Sequence, residues 1–340
     1  MLNKRHFGPI ALVAILVPVL YFFFYSRGRQ ESVVVEMEQY YSWLDGTPVE
    51  NKSLERGQVV GIMIDSHPDA RPESGLSQAK IVYEAPVEGG ITRYMAIFDS
   101  AQTVSKVGPI RSARPYYLDW LQEYGSGLYM HVGGSPDALT IIKKLRIFDV
   151  NQFYWGDYFW RSTDRLAPHN VYTKSDFWQK AVEHYQAGAG AFMAPDGWRF
   201  AKTVDQESTV SPLNKEITIR YNPYYSVTWK YDAEQTNYVR YVNGKKYIDL
   251  DGAEVRARNV LIQYASMKTV DEEGRKEIAT VGKGEAKIIK KGRLGIGFWE
   301  KKSVTDRTRF YDPNGNEVVL LPGTTWVEVV PKDAEIEVTN

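Results

Sequence analysis

The sequence predicts an α+β protein: a mixed α/β domain followed by an all-β domain, behind one N-terminal transmembrane helix. Three observations carry that expectation. Phe7 to Ser26 holds no charged side chain. From Gln58 to about Phe200, short apolar runs alternate with segments whose proline and serine residues mark helix starts. Beyond Phe200 the helical period fades, and Asn-Gly pairs separate runs of alternating polarity.

Taken in order, FGPIALVAILVPVLYFFFYS is long enough to cross a hydrocarbon core of about 30 Å as a helix. Pro9 and Pro18 are tolerated in such helices. Bulky Phe22, Phe23, Phe24 and Tyr25 stand where a signal peptidase needs small residues, so residues 1–29 read as an uncleaved signal anchor. Lys4, Arg5 and His6 precede the span while Arg27 and Arg29 follow it, and the short leading tail stays inside. The globular part is therefore expected outside the cytoplasm.

Residues 30–57 read as a stalk, with Tyr40, Tyr41, Trp43 and Leu44 tucking onto the domain that follows. In residues 58–200, VVGIMID, KIVYE, ITRYMAIFD and LYMHV read as strands. Helices are expected over Pro115–Tyr124, from Ser135-Pro136 to about Leu145, and over Ser175–Gln186 before Gly188 and Gly190. In residues 212–338 the turns at Asn243-Gly244 and Asn314-Gly315 punctuate strands that end with AKIIKKGRLGIGFWEK, RTRFYD, EVVLLPG and TWVEVVP.

Composition narrows the function. Lysine plus arginine balance aspartate plus glutamate, 42 to 42, which gives no basis for a nucleic-acid partner. The absence of cysteine excludes disulfides, thiol catalysis and lipid attachment at a cysteine. The 23 Tyr and 9 Trp suit either sugar stacking or crowded β cores.

The run GPIRSARPYYLDW sets Arg111 and Arg114 beside a helix start, where outward N–H groups favour a carboxylate or phosphate. The plainer alternative is ordinary pairing with nearby carboxylates. Asp65 and His67 share the Asp-x-His spacing of some metal sites, and convergence with His131 and His169 would be needed to make one. Glu84 and Glu88 flank a turn and suit either acid–base work on a glycan or neutralisation of Arg93 and the later arginines. Gly133-Gly134-Ser135-Pro136 lets an anion approach a helix start or simply permits a tight turn. Ser77 and Lys80 have the Ser-x-x-Lys spacing of penicillin-interacting enzymes, but its companion motifs are absent and Lys80 begins a strand.

The stretches DSHPDARPESGLSQAKIVYEAPVEGGITRYMAIF, GPIRSARPYYLDW, HVGGSP and APHNVYT, followed by GKGEAKIIKKG, FWEKKS and PGTTWVEVVP, are similar to the YerB-like family of bacterial envelope lipoproteins. That family is defined by an N-terminal and a C-terminal domain of unknown function. The resemblance implies an outward-facing envelope protein with a role near cell-wall synthesis, and it brings no active site to transfer. Two departures stand out. The lipidated cysteine is missing, which leaves the Phe7–Ser26 helix as the anchor, and Ser66 stands where asparagine is the more usual residue.

The combined reading is a polar cleft in which Arg93, Arg111 and Arg114 bind an anionic group of a cell-wall glycan, lipid-linked precursor or peptide. Asp65, His67, Glu84, Glu88, His131 and His169 would order it. No metal or cofactor is called for, and a non-enzymatic role is favoured. One alternative is a metal-dependent or carboxylate-based hydrolase of wall polymers. Another is a scaffold that touches a membrane-bound wall synthase.

Overall fold

The run VVGIMID turns Val59, Gly61 and Met63 to one side of a strand and Val60, Ile62 and Ile64 to the other, and all seven residues are buried. A strand that is apolar on both faces has to be covered on both. In the computed structural model, which describes residues 38–125, 127–186, 196–202 and 216–339, this is what the rest of the chain does. The anchor expected over residues 1–29 lies outside the described residues. Among those described, no helix is long and apolar enough to cross a membrane.

The strand, β1 (Val59–Asp65), belongs to a ten-stranded mixed sheet. The first half of the chain also supplies β2 (Ile81–Pro86), β3 (Thr92–Asp99), β4 (Leu128–His131) and β5 (Asp149–Asn151). A second sheet is built on β6 (Glu216–Asn222), β7 (Tyr225–Asp232) and β8 (Asn237–Val242). The first sheet is then completed by β9 (Asn259–Ala265), β10 (Gly282–Lys290), β11 (Arg293–Lys301), β12 (Arg309–Tyr311) and β13 (Thr325–Pro331), while β14 (Glu335–Thr339) returns to the second. The strand order of the large sheet is β12-β11-β10-β9-β13-β2-β3-β1-β4-β5.

Three helices lie within residues 115–186: α1 (Pro115–Leu121), α2 (Pro136–Leu145) and α3 (Ser175–Gln186). Residues 216–339 carry strands and turns only. In α2, Ser135 accepts the Ala138 N–H, Pro136 takes the first helical position, and Lys143 and Lys144 face the negative C-terminal end. On one face of the large sheet, Met63, Tyr83 and Met95 pack with Tyr117 and Trp120 of α1 and Ile142 of α2. On the other, Ile62, Val82 and Ala96 pack with Trp178 of α3 and with Ile217 and Trp229 of the second sheet. The large sheet is thus the middle layer.

The composition boundary near residue 200 is not a boundary of this sheet. β13 runs parallel to both β9 and β2, with Val327 opposite Leu261 on one side and Tyr83 on the other. The described residues from Gln39 onward form one compact unit. The stretch read as a stalk is folded from Gln39 onward, because Trp43 and Leu44 are apolar enough to dock and are buried in the α1 side of the core.

Candidate functional site

Parallel β1, β4 and β5 end in Asp65, His131 and Asn151, so these three residues leave the sheet at one edge. The carboxyl ends of parallel strands are where open α/β sheets bind ligands. Residues 109–111 cross this edge, with Pro109 O accepting from Asp65 N at 2.8 Å and Arg111 N donating to Met63 O at 2.9 Å.

Asp65 is fully buried and serves three partners. One oxygen accepts the His67 backbone N–H at 3.1 Å. The other accepts from His169 Nδ1 at 2.7 Å and lies 3.1 Å from Arg111 Nε. A carboxylate oxygen accepts, so in this contact His169 Nδ1 is the donor. The Arg111 contact is an ion pair off the N–H direction, since Nε has no aligned acceptor. Held at Nε, the Arg111 side chain is 25% exposed, and no described residue takes its two terminal nitrogens.

Arg111 borders a cavity of about 520 Å³. Its other walls include Gly133, Phe153, Tyr154 and Arg161. Gly133 has φ +61°, and a Cβ there would meet the Phe153 ring at 2.9 Å, so glycine is what lets the floor approach the aromatic wall. Phe153 and Tyr154 are 67% and 82% exposed. Arg161 donates to Asn170 Oδ1 at 2.8 Å and to Gln152 Oε1 at 3.2 Å, both neutral acceptors that leave its charge in place.

The other expected arginines are committed elsewhere. Arg114 forks onto both Glu88 oxygens through Nε and Nη2, and its Nη1 donates to Ala113 O at 2.7 Å. Burial pushes the Glu88 carboxyl up, but the bonds and charge of Arg114, with Arg93 behind, hold it below the usual range. Arg93 is buried, donates to Ser112 O at 3.0 Å, and lies 3.9 Å from Glu88. Burial and the Arg114 cation hold Arg93 below the ordinary arginine value. Arg93 and Arg114 therefore gather around Glu88, and Arg111 alone of the three opens to the cavity. The helix start expected to assist them belongs to the two-turn helix α1, where Arg114 at the N-cap makes no side-chain cap bond.

Glu84 and Glu88 do not face one cleft. Glu84 shares the parity of Val82 and points between the two sheets, where Thr92, Tyr225 and Arg240 donate to it. Arg240 also donates to Glu328 at 2.8 Å, and all three charged side chains of this triad are fully buried. His131 is fully buried too, with Nδ1 on Gly133 O at 2.7 Å and Nε2 3.3 Å from Asp149. His67 and His169 do come together, their rings stacked at 4.7 Å and 17°. Residue reading missed Arg161, which directly follows the aromatic run FYWGDYFW, and Arg240, whose inward position in YVRYV depends on strand parity.

The comparisons agree across most of the chain. The model described as "Protein of unknown function (DUF3048) N-terminal domain" matches residues 44–188, and the corresponding C-terminal domain matches residues 217–327. A Bacillus subtilis (strain 168) protein named "Putative lipoprotein YerB" is 32% identical over 319 residues, covering 92% of each chain. The crystal structure of YerB protein from Bacillus subtilis superposes with a TM-score of 0.75 at 29% identity, covering 87% of this chain and 99% of that one. With both halves matched and the architecture shared, the chain belongs to the YerB-like family of DUF3048 proteins.

Proposed function

We propose that this is a membrane-tethered, extracytoplasmic envelope protein that binds an anionic group of a cell-wall glycan, lipid-linked precursor or peptide in the cavity beside Arg111, in support of wall synthesis. The observation that carries this reading is the Arg111 guanidinium, anchored at Nε by Asp65 and open at both terminal nitrogens. A guanidinium fixed at one nitrogen has its paired donors aligned in advance for a carboxylate or phosphate. Arg161 adds a second cation across the cavity, and Phe153 and Tyr154 offer flat faces to a sugar ring or peptide. The chain has no cysteine to lipidate, so Phe7 to Ser26 serves as the tether.

The test is titration of the full chain with a defined muropeptide bearing free carboxylates, beside its amidated analogue. Losing a charge-assisted contact is worth roughly 1.5–3 kcal/mol, so Arg111→Ala is expected to weaken binding by about 10-fold or more. Amidation should cause a similar loss in the unmutated protein. Equal binding by folded Arg111→Ala would sink the assignment.

A further inference from the structure

We propose that His67, His169 and Asp69 form a divalent transition-metal site joined to Arg111 through Asp65. Among the described residues, one ligand atom from each of these three lies within 4.8 Å of the others. Two atoms each 2.0 Å from a tetrahedral zinc are about 3.3 Å apart, so only a small closure is required. His67 and Asp69 can supply it, with side chains 39% and 75% exposed at the N-cap and within the short turn Pro68–Ala70.

The arrangement behind the ligands is an independent observation. Asp65 accepts a hydrogen bond from His169 Nδ1 at 2.7 Å, so Nε2 is the nitrogen of this held ring left to bind a metal. A buried carboxylate holding the far nitrogen of a histidine is the usual support of a metal-bound imidazole. Asp65 is itself fixed by the His67 N–H and by Arg111, so the supporting residue is not free to turn away. Stacking at 4.7 Å keeps the His67 ring alongside the His169 ring. Asp69 contributes the negative charge, its carboxylate 3.6 Å from His67 Nδ1, a nitrogen that also accepts the Asp69 backbone N–H at 3.2 Å.

Two imidazoles and one carboxylate select zinc, cobalt, nickel or manganese over calcium and magnesium, which prefer all-oxygen shells. Three protein ligands leave at least one position for water or an added donor. His131, with both nitrogens engaged inside the protein, takes no part.

Full-length protein should be dialysed against Zn²⁺ and, separately, Co²⁺, with bound metal measured by mass spectrometry and the cobalt ligand field by visible absorption. One ion per chain is expected. His67→Ala and His169→Ala should each weaken binding by more than about 100-fold, and Asp65→Asn, which keeps both ligands but removes the charge behind His169 and beside Arg111, by roughly 10- to 100-fold. His184→Ala, on the exposed face of α3, controls for casual histidine binding and should change nothing. Circular dichroism checks folding; if His169→Ala fails to fold, exposed His67→Ala and Asp69→Ala decide alone. Substoichiometric metal, or unchanged affinity in folded His67→Ala and Asp69→Ala, overturns the site. The readout uses metal alone, so its failure leaves the wall-ligand reading standing, and the reverse also holds.

Discussion

Arg240 is the residue on which the contact between the two sheets turns. Its guanidinium lies 4.3 Å from the centre of the Trp326 ring and 5.3 Å from that of Trp229, and it bonds Glu84 and Glu328 on either side. Burial, and then the Glu84 charge, push the Glu328 carboxyl up to about 8, against the pull of Arg240. Removing the cation leaves a buried carboxylate uncompensated, and Arg240→Met is expected to cost about 3–5 kcal/mol. Glu328→Gln keeps the shape and should cost about 1.5 kcal/mol or less. Urea unfolding of the two variants distinguishes them, and equal losses would mean the triad is not organised around its cation. The identities of the charged residues are plain in the sequence, but their partners are not. Glu84 and Glu88 stand four apart and end in separate networks, because strand parity sends one between the sheets and the loop sends the other to Arg114.

Local rules account well for the single elements. Proline at the start of α1, the Ser135 cap of α2 and the extent of α3 follow from signals within a few residues of each start. Asn243 and Gly244 take positive φ between Val242 and Lys245, as a two-residue hairpin requires. Less visible is why β11 is rich in glycine. A Cβ at Gly297 would come 2.1 Å from Tyr311 O, so the absent side chain is what admits β12 to its edge. Gly297→Ala should cost about 1–3 kcal/mol and raise amide exchange in β12 well above that in β9. Protection in β12 equal to that of the parent chain would contradict this.

At the scale of the whole molecule, the sequence signals two compositions but hides their joining. Nothing within TWVEVVP or KIVYE says that these runs are neighbours, because parallel pairing depends on through-space packing over most of the chain. Residues 39–202 alone would leave the β2 edge open and one face of the sheet without Ile217 and Trp229. That fragment is expected to lack a cooperative thermal transition, which calorimetry can check. The pH dependence is also global. Glu73 is pushed up to about 8 by burial, against the pull of Tyr247 and Arg71. Both Glu73 and Glu328 have an ordinary value of 4.5. From about 4.5 to 8 the folded chain keeps protons that the unfolded chain has released, so stability falls as pH rises, by up to ~1.4 kcal/mol per unit for each group. The urea midpoint should be higher at pH 6 than at pH 8, with Glu328→Gln flattening the slope. A midpoint that climbs between those values would contradict the burial argument.

The position of β13 also fixes when folding can finish. Thr324 Oγ1 donates to Ala79 O across 245 positions of sequence, so the central pairing of the large sheet has very high contact order. During synthesis, β2 and β9 are made long before the strand that separates them, and no rearrangement of earlier segments can substitute for it. β13 must leave the ribosome before the core closes. Until then the nascent protein exposes an open edge to aggregation and proteolysis, and a premature stop before Thr325 leaves it in that state.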